Sequence, residues 1–577
     1  MNKTKAHKIF RVLPFVISFL MVIVFILDFG FGLPESFNNL LNIVYVTAII
    51  SFLVLVTLRY IYFTPHKNLT RIWLIDIILA ILLILIIADI PYLGFFKNPV
   101  FLYFIFFLIF IRELSETVLR VSGAKVNPAL LFIFSFLLLI VSGTMLLLLP
   151  DAAHHEITFI DALFTSTSAV CVTGLVVVDT GSFFTTVGQV IIIILIQLGG
   201  LGIMSFTTFF GYFFKGSTSF GDQLMIRDYF SSEKLSEVYQ TLKTIVGVTF
   251  IIEIVGAIAI FLSMADYATG KLVDDIFFAI FHSISGFCNA GFSTFAAGLY
   301  EVEFQYNYLL QIIIALLFII GGLGFPIAFN LIKYFHYLIK DKILRHKKYK
   351  SAPWIINLNS KLILVSTSIL ILIGFSLVFV LEYDNVLTDH GLFGKIVTAF
   401  FTGVTPRTAG FTSVDMNALT APTIFLIVLL MWIGASPGST GGGIKTTTFA
   451  ISMLNIFENA KGKERNEIFG RQISSHSIRR AFATISLSLI ILVVSIFLLM
   501  IFEEDKKPGA IIFESFSAIG TVGLSLGITD QLSSPGKIVI IILMFTGRIG
   551  MLTILSSVLR KINTYRYKYS EENILIN

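Results

Sequence analysis

Long apolar segments alternate with short polar ones along the whole chain. Twelve apolar runs are long enough to cross the roughly 30 Å hydrocarbon core of a bilayer as helices. They lie near residues 11–29, 40–63, 72–90, 98–114, 128–150, 184–214, 244–265, 306–333, 360–381, 422–455, 481–502 and 536–559. The pattern predicts an all-α integral membrane protein that crosses the bilayer many times.

Composition supports this prediction and excludes several other classes. The 577 residues are 56% hydrophobic and only 13% charged, and a soluble protein of this length could not bury so much apolar surface. Two cysteines, Cys171 and Cys288, are too few for a disulfide framework. The nine histidines are scattered and form no metal-binding cluster with cysteine or carboxylate residues. We therefore expect neither an enzyme nor a covalently bound cofactor.

Basic and acidic residues occupy alternate connecting segments. Lys and Arg cluster at 3–11, 59–71, 112–125, 215–243, 333–350, 461–480 and 560–568, whereas Asp and Glu dominate the loops between these clusters. The positive-inside rule then predicts a multi-pass protein of the cell inner (cytoplasmic) membrane with both termini in the cytoplasm. Because the net charge of +6 is spread over these loops, membrane lipid is the expected partner and nucleic acid is not.

Four short glycine segments recur between the later apolar runs, and the orientation places all of them on the external side. They read TSTSAVCVTGL, HSISGFCNAGF, FTGVTPRTAGF and ESFSAIGTVGL, and their glycines are 117, 119 and 113 residues apart. A Phe stands ten residues before each glycine and a Ser or Thr eight before: Phe164, Phe281, Phe400 and Phe513, then Ser166, Ser283, Thr402 and Ser515. Recurrence at this distance indicates one module used four times.

The recurrence predicts a domain organisation. Residues 126–243, 244–350, 351–480 and 481–577 would each form a helix, a half-crossing pore loop and a second helix around a central pore. Residues 1–125 hold four further spans whose role the sequence leaves unresolved. These four spans could form a voltage sensor, which would make the protein a voltage-gated cation channel. A sensor needs several arginines on its fourth helix, and 98–114 offers only Arg112, so a packing or targeting unit is favoured.

Glycine tolerates positive φ, which lets successive carbonyl oxygens point into one narrow path. Four such loops would give stacked oxygen rings that replace the hydration shell of K⁺. The half-helix before each loop would direct the negative end of its dipole toward the ion. The predicted K⁺ selectivity filter consists of Val172, Thr173, Gly174, Asn289, Ala290, Gly291, Thr408, Ala409, Gly410, Thr521, Val522 and Gly523.

The segments CVTGL, CNAGF, RTAGF and GTVGL resemble the four filter sequences of the Trk/Ktr/HKT superfamily of potassium transporters. The resemblance covers roughly residues 125–565 and is greatest to the bacterial Ktr/Trk membrane subunit. A glycine in all four filters is what K⁺-conducting members show, and the first-filter Ser of Na⁺-preferring plant members is absent. The resemblance implies K⁺ as the substrate, with Na⁺ or H⁺ dependence left open. It also implies a homodimer on a cytosolic ring of nucleotide-binding regulatory subunits, which fits a chain without a phosphate-binding loop.

Two features break the fourfold pattern. The second span of the third unit is interrupted by Gly and Pro, which cannot continue a helix, so this segment faces water or protein below the third filter loop. The resemblance implies that it gates conduction, although a simple kink is an alternative. The gate candidates in this segment are Ser436, Pro437, Gly438, Ser439, Thr440, Gly441, Gly442, Gly443 and Lys445, the last of which could instead snorkel to the interface.

The second feature is Arg548, which has apolar neighbours on both sides in the last span. An arginine at this depth is costly in lipid and should face the interior of the bundle. We expect Arg548 to act as an electrostatic barrier beneath the filter and as a latch for the 436–443 loop.

Overall fold

The computed structural model describes residues 13–21, 24, 28, 38–63, 72–87, 105–106, 108–110, 112–113, 128–202, 238–264, 271–295, 298–301, 304–338, 357–463 and 465–558. The basic segments predicted at both termini lie outside these residues, as do most of 215–243 and 333–350. Nearly all regular structure in the described part is helical, which confirms the predicted all-α class.

Besides a helical stretch at 13–21, the described part contains seventeen helices of at least eight residues. The first two are α1 Asn38–Phe63 and α2 Ile72–Ile87, and the first pore unit contains α3 Pro128–Leu147, α4 Phe159–Val170 and α5 Thr186–Leu201. The second unit contains α6 Val238–Ser263, α7 Leu272–Cys288, α8 Tyr308–Leu323 and α9 Phe325–Leu338. The third contains α10 Leu358–Leu381, α11 Leu392–Val404, α12 Ala421–Trp432 and α13 Thr446–Ala460. The fourth contains α14 Ser475–Phe502, α15 Pro508–Gly520, α16 Ser534–Ile549 and α17 Met551–Val558.

Short irregular elements complete the structure. Three 3₁₀ turns lie at Pro150–Ala152, Gly298–Tyr300 and Met416–Ala418. A two-stranded antiparallel hairpin, β1 Glu467–Ile468 with β2 Arg471–Gln472, joins α13 to α14. This hairpin lies in the basic 461–480 segment that the sequence placed on the cytoplasmic side.

Each pore unit has a long outer helix, a short buried pore helix and a returning helix. The pore helices α4, α7, α11 and α15 are 12 to 17 residues long, shorter than the roughly 20 residues of a typical full crossing. Their centres pack against the returning helices in an apolar core behind the glycine loops. In each unit, therefore, the pore helix places its C-terminus in the interior of the bundle.

In every unit the start of the returning helix is tied to the end of the outer helix. Glu382, which follows α10, accepts hydrogen bonds from the N–H (3.0 Å) and hydroxyl (2.7 Å) of Thr420 before α12. Glu503, after α14, accepts from the N–H of Ser533 at 2.8 Å and from its hydroxyl at 2.5 Å. In the second unit Asn307 donates to the carbonyl oxygen of Ser263 at 2.9 Å. These bonds satisfy polar groups that a helix end leaves unpaired, and they fix the width of each unit.

The returning helices break inside the bundle, which differs from the continuous spans predicted at 184–214, 306–333 and 536–559. Helices α5, α8 and α16 end at Gly202, Gly324 and Gly550, with φ of +77°, +93° and +90°. Helix α17 is bent by 91° from α16. The sequence anticipated such a break only in the third unit. Positive φ is open to glycine at little cost, so a glycine at these points ends the helix.

By length and apolar composition, three described helices could each cross a membrane. They lie at Thr244–Ser263, Leu358–Leu381 and Ser475–Phe502, and the bent pair α16–α17 makes a fourth if it is counted as one span. Seven shorter apolar helical stretches of 10–17 residues also occur in the described part. Three of them, Thr186–Leu201, Tyr308–Leu323 and Ala421–Trp432, are short because the predicted runs at 184–214, 306–333 and 422–455 are interrupted.

In the N-terminal unit a buried ionic cluster joins two of the predicted spans. Arg112 donates to the carboxylate of Asp76 at 2.7 Å and also pairs with Glu113, and all three side chains are buried. These ion pairs compensate the charge of the buried arginine. The role of residues 1–125, as a packing or targeting unit or as a voltage sensor, stays a prediction.

Candidate functional site

The four glycine loops share one backbone conformation. Gly174, Gly291, Gly410 and Gly523 have φ of +90°, +68°, +77° and +92°. The residue two before each glycine is also left-handed: Val172 at +56°, Asn289 at +60°, Thr408 at +68° and Thr521 at +50°. Non-glycine residues rarely adopt positive φ, so strain of this kind at four equivalent positions marks a constrained functional segment.

The amide before each glycine turns back onto its pore helix. Thr173 N–H donates to Ser168 O and Ala290 N–H to Ser285 O, both at 2.8 Å, while Val522 N–H donates to Ser517 O at 2.9 Å. Because these three N–H groups bond to the pore helix, the carbonyl oxygens of Thr173, Ala290 and Val522 are free to face the neighbouring loops.

These carbonyl oxygens close a ring in chain order. A Cβ built on Gly174 would lie 2.4 Å from Ala290 O, and one on Gly291 would lie 3.0 Å from Ala409 O. One on Gly410 would lie 2.3 Å from Val522 O, and one on Gly523 would lie 2.3 Å from Thr173 O. Each loop therefore meets the next, and the fourth meets the first. The predicted filter residues lie together, and the close approach leaves no room for a side chain at the glycine.

Side-chain hydroxyls hold each loop on its helix, and the sequence analysis did not single them out. Ser168 and Ser517 accept from the N–H groups of Gly174 and Gly523, each at 3.1 Å. Ser285 donates to Phe292 O and Thr405 to Phe411 O, each at 2.7 Å. The sequence does indicate these hydroxyls, because three of the four segments carry a Ser six residues before the glycine.

The third loop is one residue shorter than the others, so the predicted alignment of its pore helix is wrong by one position. Phe164, Phe281 and Phe513 are fully buried, but in the third unit Phe401 is fully buried and Phe400 only partly. The amide of Ala409 bonds the carbonyl oxygen of Thr405 at 3.0 Å, five residues before the glycine instead of six. A glycine, Gly403, instead of Thr402, packs against the outer helix at Gly374.

The irregular segment between α12 and α13 lies directly against the inner end of three filter loops. Thr440 donates to Asn289 Oδ1 at 2.9 Å, and the N–H of Gly442 donates to Thr521 Oγ1 at 2.9 Å. A Cβ on Gly441 would lie 2.2 Å from Thr408 Oγ1. Thus each of these three loops presents the residue two before its glycine to the segment.

Backbone bonds anchor the rest of this segment to the broken returning helices. Ser436 N–H donates to Gly322 O at 3.1 Å, and Gly438 O accepts from Phe325 N–H at 3.0 Å. Ser439 bonds back to Ser436 O at 2.6 Å, and Pro437 and Gly443 complete the turn. Lys445 donates to Gly441 O at 2.7 Å instead of extending away from the segment.

Arg548 joins this segment to the first unit. Its guanidinium donates to Thr440 O and, on the other side, to Gly199 O and Gly200 O, the latter at 3.3 Å. Gly199 packs against the C-terminal end of α4, the pore helix of the first loop. This charge therefore lies beneath the glycine loops and connects the segment to the first unit. It faces the interior, as expected from the cost of burying it in lipid.

Above the glycines the loops open into an outer cavity of about 620 Å³. All four filter glycines line its floor, and Ser525, Thr529 and the carboxylates of Asp179, Asp415 and Asp530 line its walls. The cavity, the ring and the closed segment beneath it lie in series. This arrangement can strip water from a small cation and hold it, with access from one side.

Comparison with known proteins agrees with this geometry. The family model TrkH, described as a cation transport protein, matches residues 98–567. The chain is 37% identical over 463 residues to the potassium/sodium uptake protein NtpJ of Enterococcus hirae, covering 78% of this chain and 98% of that protein. It is 35% identical to the Ktr system potassium uptake protein B of Bacillus subtilis, covering 76% and 94%.

A solved structure shares the fold. The crystal structure of the potassium transporter TrkH from Vibrio parahaemolyticus superposes with a TM-score of 0.61 at 18% identity, over 85% of this chain and 96% of that one. The superposition shows a shared fold. The family match and the sequence relatives identify a non-enzymatic multi-pass membrane transporter, and the chain belongs to the TrkH family of cation transport proteins.

Proposed function

We propose that the chain takes up K⁺ across the cytoplasmic membrane through the four-loop ring at Gly174, Gly291, Gly410 and Gly523. The observation that carries the proposal is the closed succession of glycine-to-carbonyl contacts around the four loops. The relatives named as potassium uptake proteins support K⁺ as the ion. Because the name of the Enterococcus hirae relative includes sodium, uptake of Na⁺ should be measured together with uptake of K⁺.

The filter acts by replacing the water shell of the ion. Carbonyl oxygens of Val172, Thr173 and their counterparts would coordinate dehydrated K⁺, at little reorganisation cost because the loops are already held by the pore helices. The C-terminal ends of α4, α7, α11 and α15 point toward the ring, and their partial negative charge favours a cation there. Selectivity then depends on an undistorted ring.

The segment at 436–443 acts as the gate. It is bonded to Asn289 and Thr521 at the inner end of the filter, so an ion leaving the ring meets a closed backbone. Arg548 places a positive charge at the same level and holds Thr440. Conduction then requires this segment to move and its bonds to Arg548 to break.

The cellular arrangement follows the sequence expectations. The protein would lie in the inner membrane with both termini in the cytoplasm, as a homodimer with residues 1–125 as a packing unit and four pore units at 126–243, 244–350, 351–480 and 481–577. A cytosolic nucleotide-binding ring would contact the basic segments at 333–350 and 461–480 and control the gate. The word "system" in the name of the Bacillus subtilis relative supports a multi-component assembly.

The test is growth of a K⁺-uptake-deficient bacterium at low external K⁺. We expect the chain to restore growth, more strongly when a cytosolic regulatory subunit is expressed with it. The Gly174→Ser variant, which inserts a side chain into the ring, is the matched control and should not restore growth at low K⁺. A chain that inserts normally but gives no K⁺-dependent growth with any partner would contradict the proposal.

A further inference from the structure

A pair of polar side chains joins the first and second units inside the bundle. Gln197, on the returning helix α5 of the first unit, donates from Nε2 to Glu253 Oε2 at 3.2 Å. Glu253 lies on the outer helix α6 of the second unit, is only 4% exposed, and is the only Asp, Glu, Lys or Arg in the span Thr244–Ser263. An acidic residue within a span is costly in lipid, so its place in the interior calls for an explanation.

The position of Glu253 on the outer helix is apolar in the first unit. Ser166 and Ser283 occupy the same place on their pore helices, eight residues before the filter glycine. They donate to Ile140 O at 2.7 Å and to Glu253 O at 2.6 Å, which makes Ile140 and Glu253 equivalent. Packing of an outer helix on its pore helix therefore does not require a carboxyl group at this position.

The position of Gln197 on the returning helix is apolar in the second and fourth units. In three units a glycine of the returning helix packs against a backbone carbonyl near the end of its own pore helix, namely Gly199, Gly321 and Gly547. The residues two positions before these glycines are Gln197, Ile319 and Phe545. The two members of the polar pair thus replace apolar residues, and they do so together where the first unit meets the second.

The pair also contacts the end of the second pore helix. The thiol of Cys288, three residues before the filter glycine Gly291, lies 3.7 Å from Gln197 Oε1 and 3.9 Å from Glu253 Oε1. A Cβ built on Gly200 would lie 2.7 Å from Cys288 Sγ. The last turn of α5 is therefore held between α6 and the end of α7.

Arg548 binds this same turn of α5. The last carbonyl groups of a helix have no partner within it, and here the Arg548 guanidinium donates to Gly199 O and to Gly200 O, the latter at 3.3 Å. The same guanidinium donates to Thr440 O in the segment at 436–443. Gln197 lies less than one turn before these carbonyls, so its bond to Glu253 fixes where they stand.

The bond between Gln197 and Glu253 requires no charge. A carboxyl oxygen accepts from an amide N–H whether or not the carboxyl group carries a proton. Loss of the acceptor would leave the Gln197 amide without this partner among apolar neighbours, which costs free energy and favours displacement of the side chain. The end of α5 would then be free to move away from Arg548.

We propose that Glu253 and Gln197 are a positioning pair for the arginine beneath the filter. The pair holds the end of α5 where Gly199 O and Gly200 O meet Arg548, and it thereby stabilises the closed position of the segment at 436–443. Neither side chain touches the ion. This inference rests on the proposed gating function and adds two residues that act through Arg548.

The test measures the initial rate of K⁺ uptake in depleted cells of an uptake-deficient strain, at equal amounts of protein in the membrane. Glu253→Leu removes the acceptor, and the rate should rise about two- to fivefold with the preference for K⁺ over Na⁺ retained. Glu253→Gln keeps an acceptor oxygen and should stay within about 1.5-fold of the unaltered chain. Thr249→Val is the matched control, because Thr249 lies one turn earlier on α6, is fully buried and has a hydroxyl without a hydrogen-bond partner among the described residues. Its rate should not change.

A double variant separates the positioning role from general packing. If the pair acts through Arg548, Glu253→Leu should add no further increase in a chain that already carries Arg548→Ala. A role in packing alone would leave the two increases multiplicative, which would overturn the proposal.

The remaining outcomes are equally decisive. An unchanged rate in Glu253→Leu, an equal rise in Glu253→Gln, or a loss of the preference for K⁺ would each overturn the positioning role. If Glu253→Leu fails to insert, Gln197→Leu removes the other partner, and the same rise is expected. Absence of uptake by the unaltered chain would contradict the proposed function. Uptake that Arg548→Ala does not increase would contradict the role of Arg548 in the gate, and the positioning role with it.

Discussion

The filter ring and the level immediately beneath it are built from the same four units but differ in symmetry. At the ring, every unit supplies a left-handed residue, a carbonyl and a left-handed glycine, and each loop contacts the next. Just below, the third unit supplies one irregular segment and the fourth supplies one arginine. At this lower level the first unit contributes the acceptors Gly199 O and Gly200 O, and the second contributes the acceptor Asn289 Oδ1 and the donor Phe325 N–H.

Under the proposed function, in which the ring coordinates K⁺ and the irregular segment closes the passage, the two levels have different requirements. An ion without preferred direction is coordinated best by equal oxygens on all sides, so the backbone of the ring is repeated. A closed passage needs only one segment that occupies it, provided that this segment has partners to hold it and can release them. The side chains at Asn289, Thr408 and Thr521 meet both levels, because their backbones belong to the ring and their polar atoms face the segment.

Substitution at the ring should have the largest effect. A Ser at Gly410 places its Cβ 2.3 Å from Val522 O and forces positive φ on a residue with a side chain. We expect the preference for K⁺ over Na⁺ to fall at least about tenfold, measured by uptake of each ion in the same cells. Gly291→Ser, whose added Cβ would lie 3.0 Å from the nearest carbonyl oxygen, is the matched variant and should lose less of the preference for K⁺ over Na⁺. Equal retention of selectivity in both would contradict the filter assignment.

Removal of Arg548 should weaken the contacts of the segment below the ring and leave the ring itself unchanged. Arg548→Ala removes donors to Thr440 O and Gly199 O, together with a positive charge beneath the filter. K⁺ flux should rise severalfold while selectivity is retained. The increase corresponds to a loss on the order of 1–2 kcal/mol in the free energy that holds the segment closed. Arg548→Lys keeps the charge but has fewer donors, so its K⁺ flux should lie between that of the unaltered chain and that of Arg548→Ala. A variant that inserts normally yet loses flux would show that Arg548 supports conduction.

Loss of one hydroxyl should give a smaller effect at the same level. Thr440→Val removes the bond to Asn289 Oδ1 and leaves the backbone contact with Arg548. Flux should rise about two- to fivefold, consistent with a single hydrogen bond. In the Thr440→Val, Arg548→Ala double variant, flux should rise by less than the product of the two single increases, because both changes loosen the same segment. Fully independent effects would indicate that the two contacts do not hold a common gate.

The smallest effect is expected at the outer edge, away from both levels. Burial of Glu382 opposes ionisation, but the hydroxyls of Thr423 and Thr420, the Thr420 amide and Asn385 outweigh it and lower the pKa below its usual 4.5. Its contribution to stability is thus complete above about pH 4.5 and is lost as pH falls through the lowered value. Glu382→Gln should reduce the midpoint of thermal unfolding at pH 7 by a few degrees, and the difference should shrink in acid. Asp384→Asn, an exposed neighbour, should show no such difference.

Much of the architecture could be predicted from the chain because its signals are local. Apolar runs, charge alternation and recurring glycines indicate an all-α membrane protein with four loops, and the density of Gly and Pro at 434–443 marks the irregular segment. The breaks at Gly324 and Gly550 were missed because glycines clustered in an apolar run are also typical of close helix packing and do not reveal their φ. The one-residue offset at Phe400 and Phe401 was hidden because two adjacent Phe residues satisfy either alignment. The Thr440–Asn289 contact joins residues distant in the chain and needed the structure.

The contact between Gly523 and Thr173 has a consequence for biosynthesis. The loops meet in chain order, so a nascent chain can join the first three as they emerge, but the circle stays open until the fourth pore helix has inserted. Until then, Thr173 and Gly410 lack the neighbours, Gly523 and Val522, that complete their side of the ring. A ribosome-bound or truncated chain ending before Pro508 would therefore hold only three of the four loops, so the order of the units makes closure of the ring the last step of its assembly.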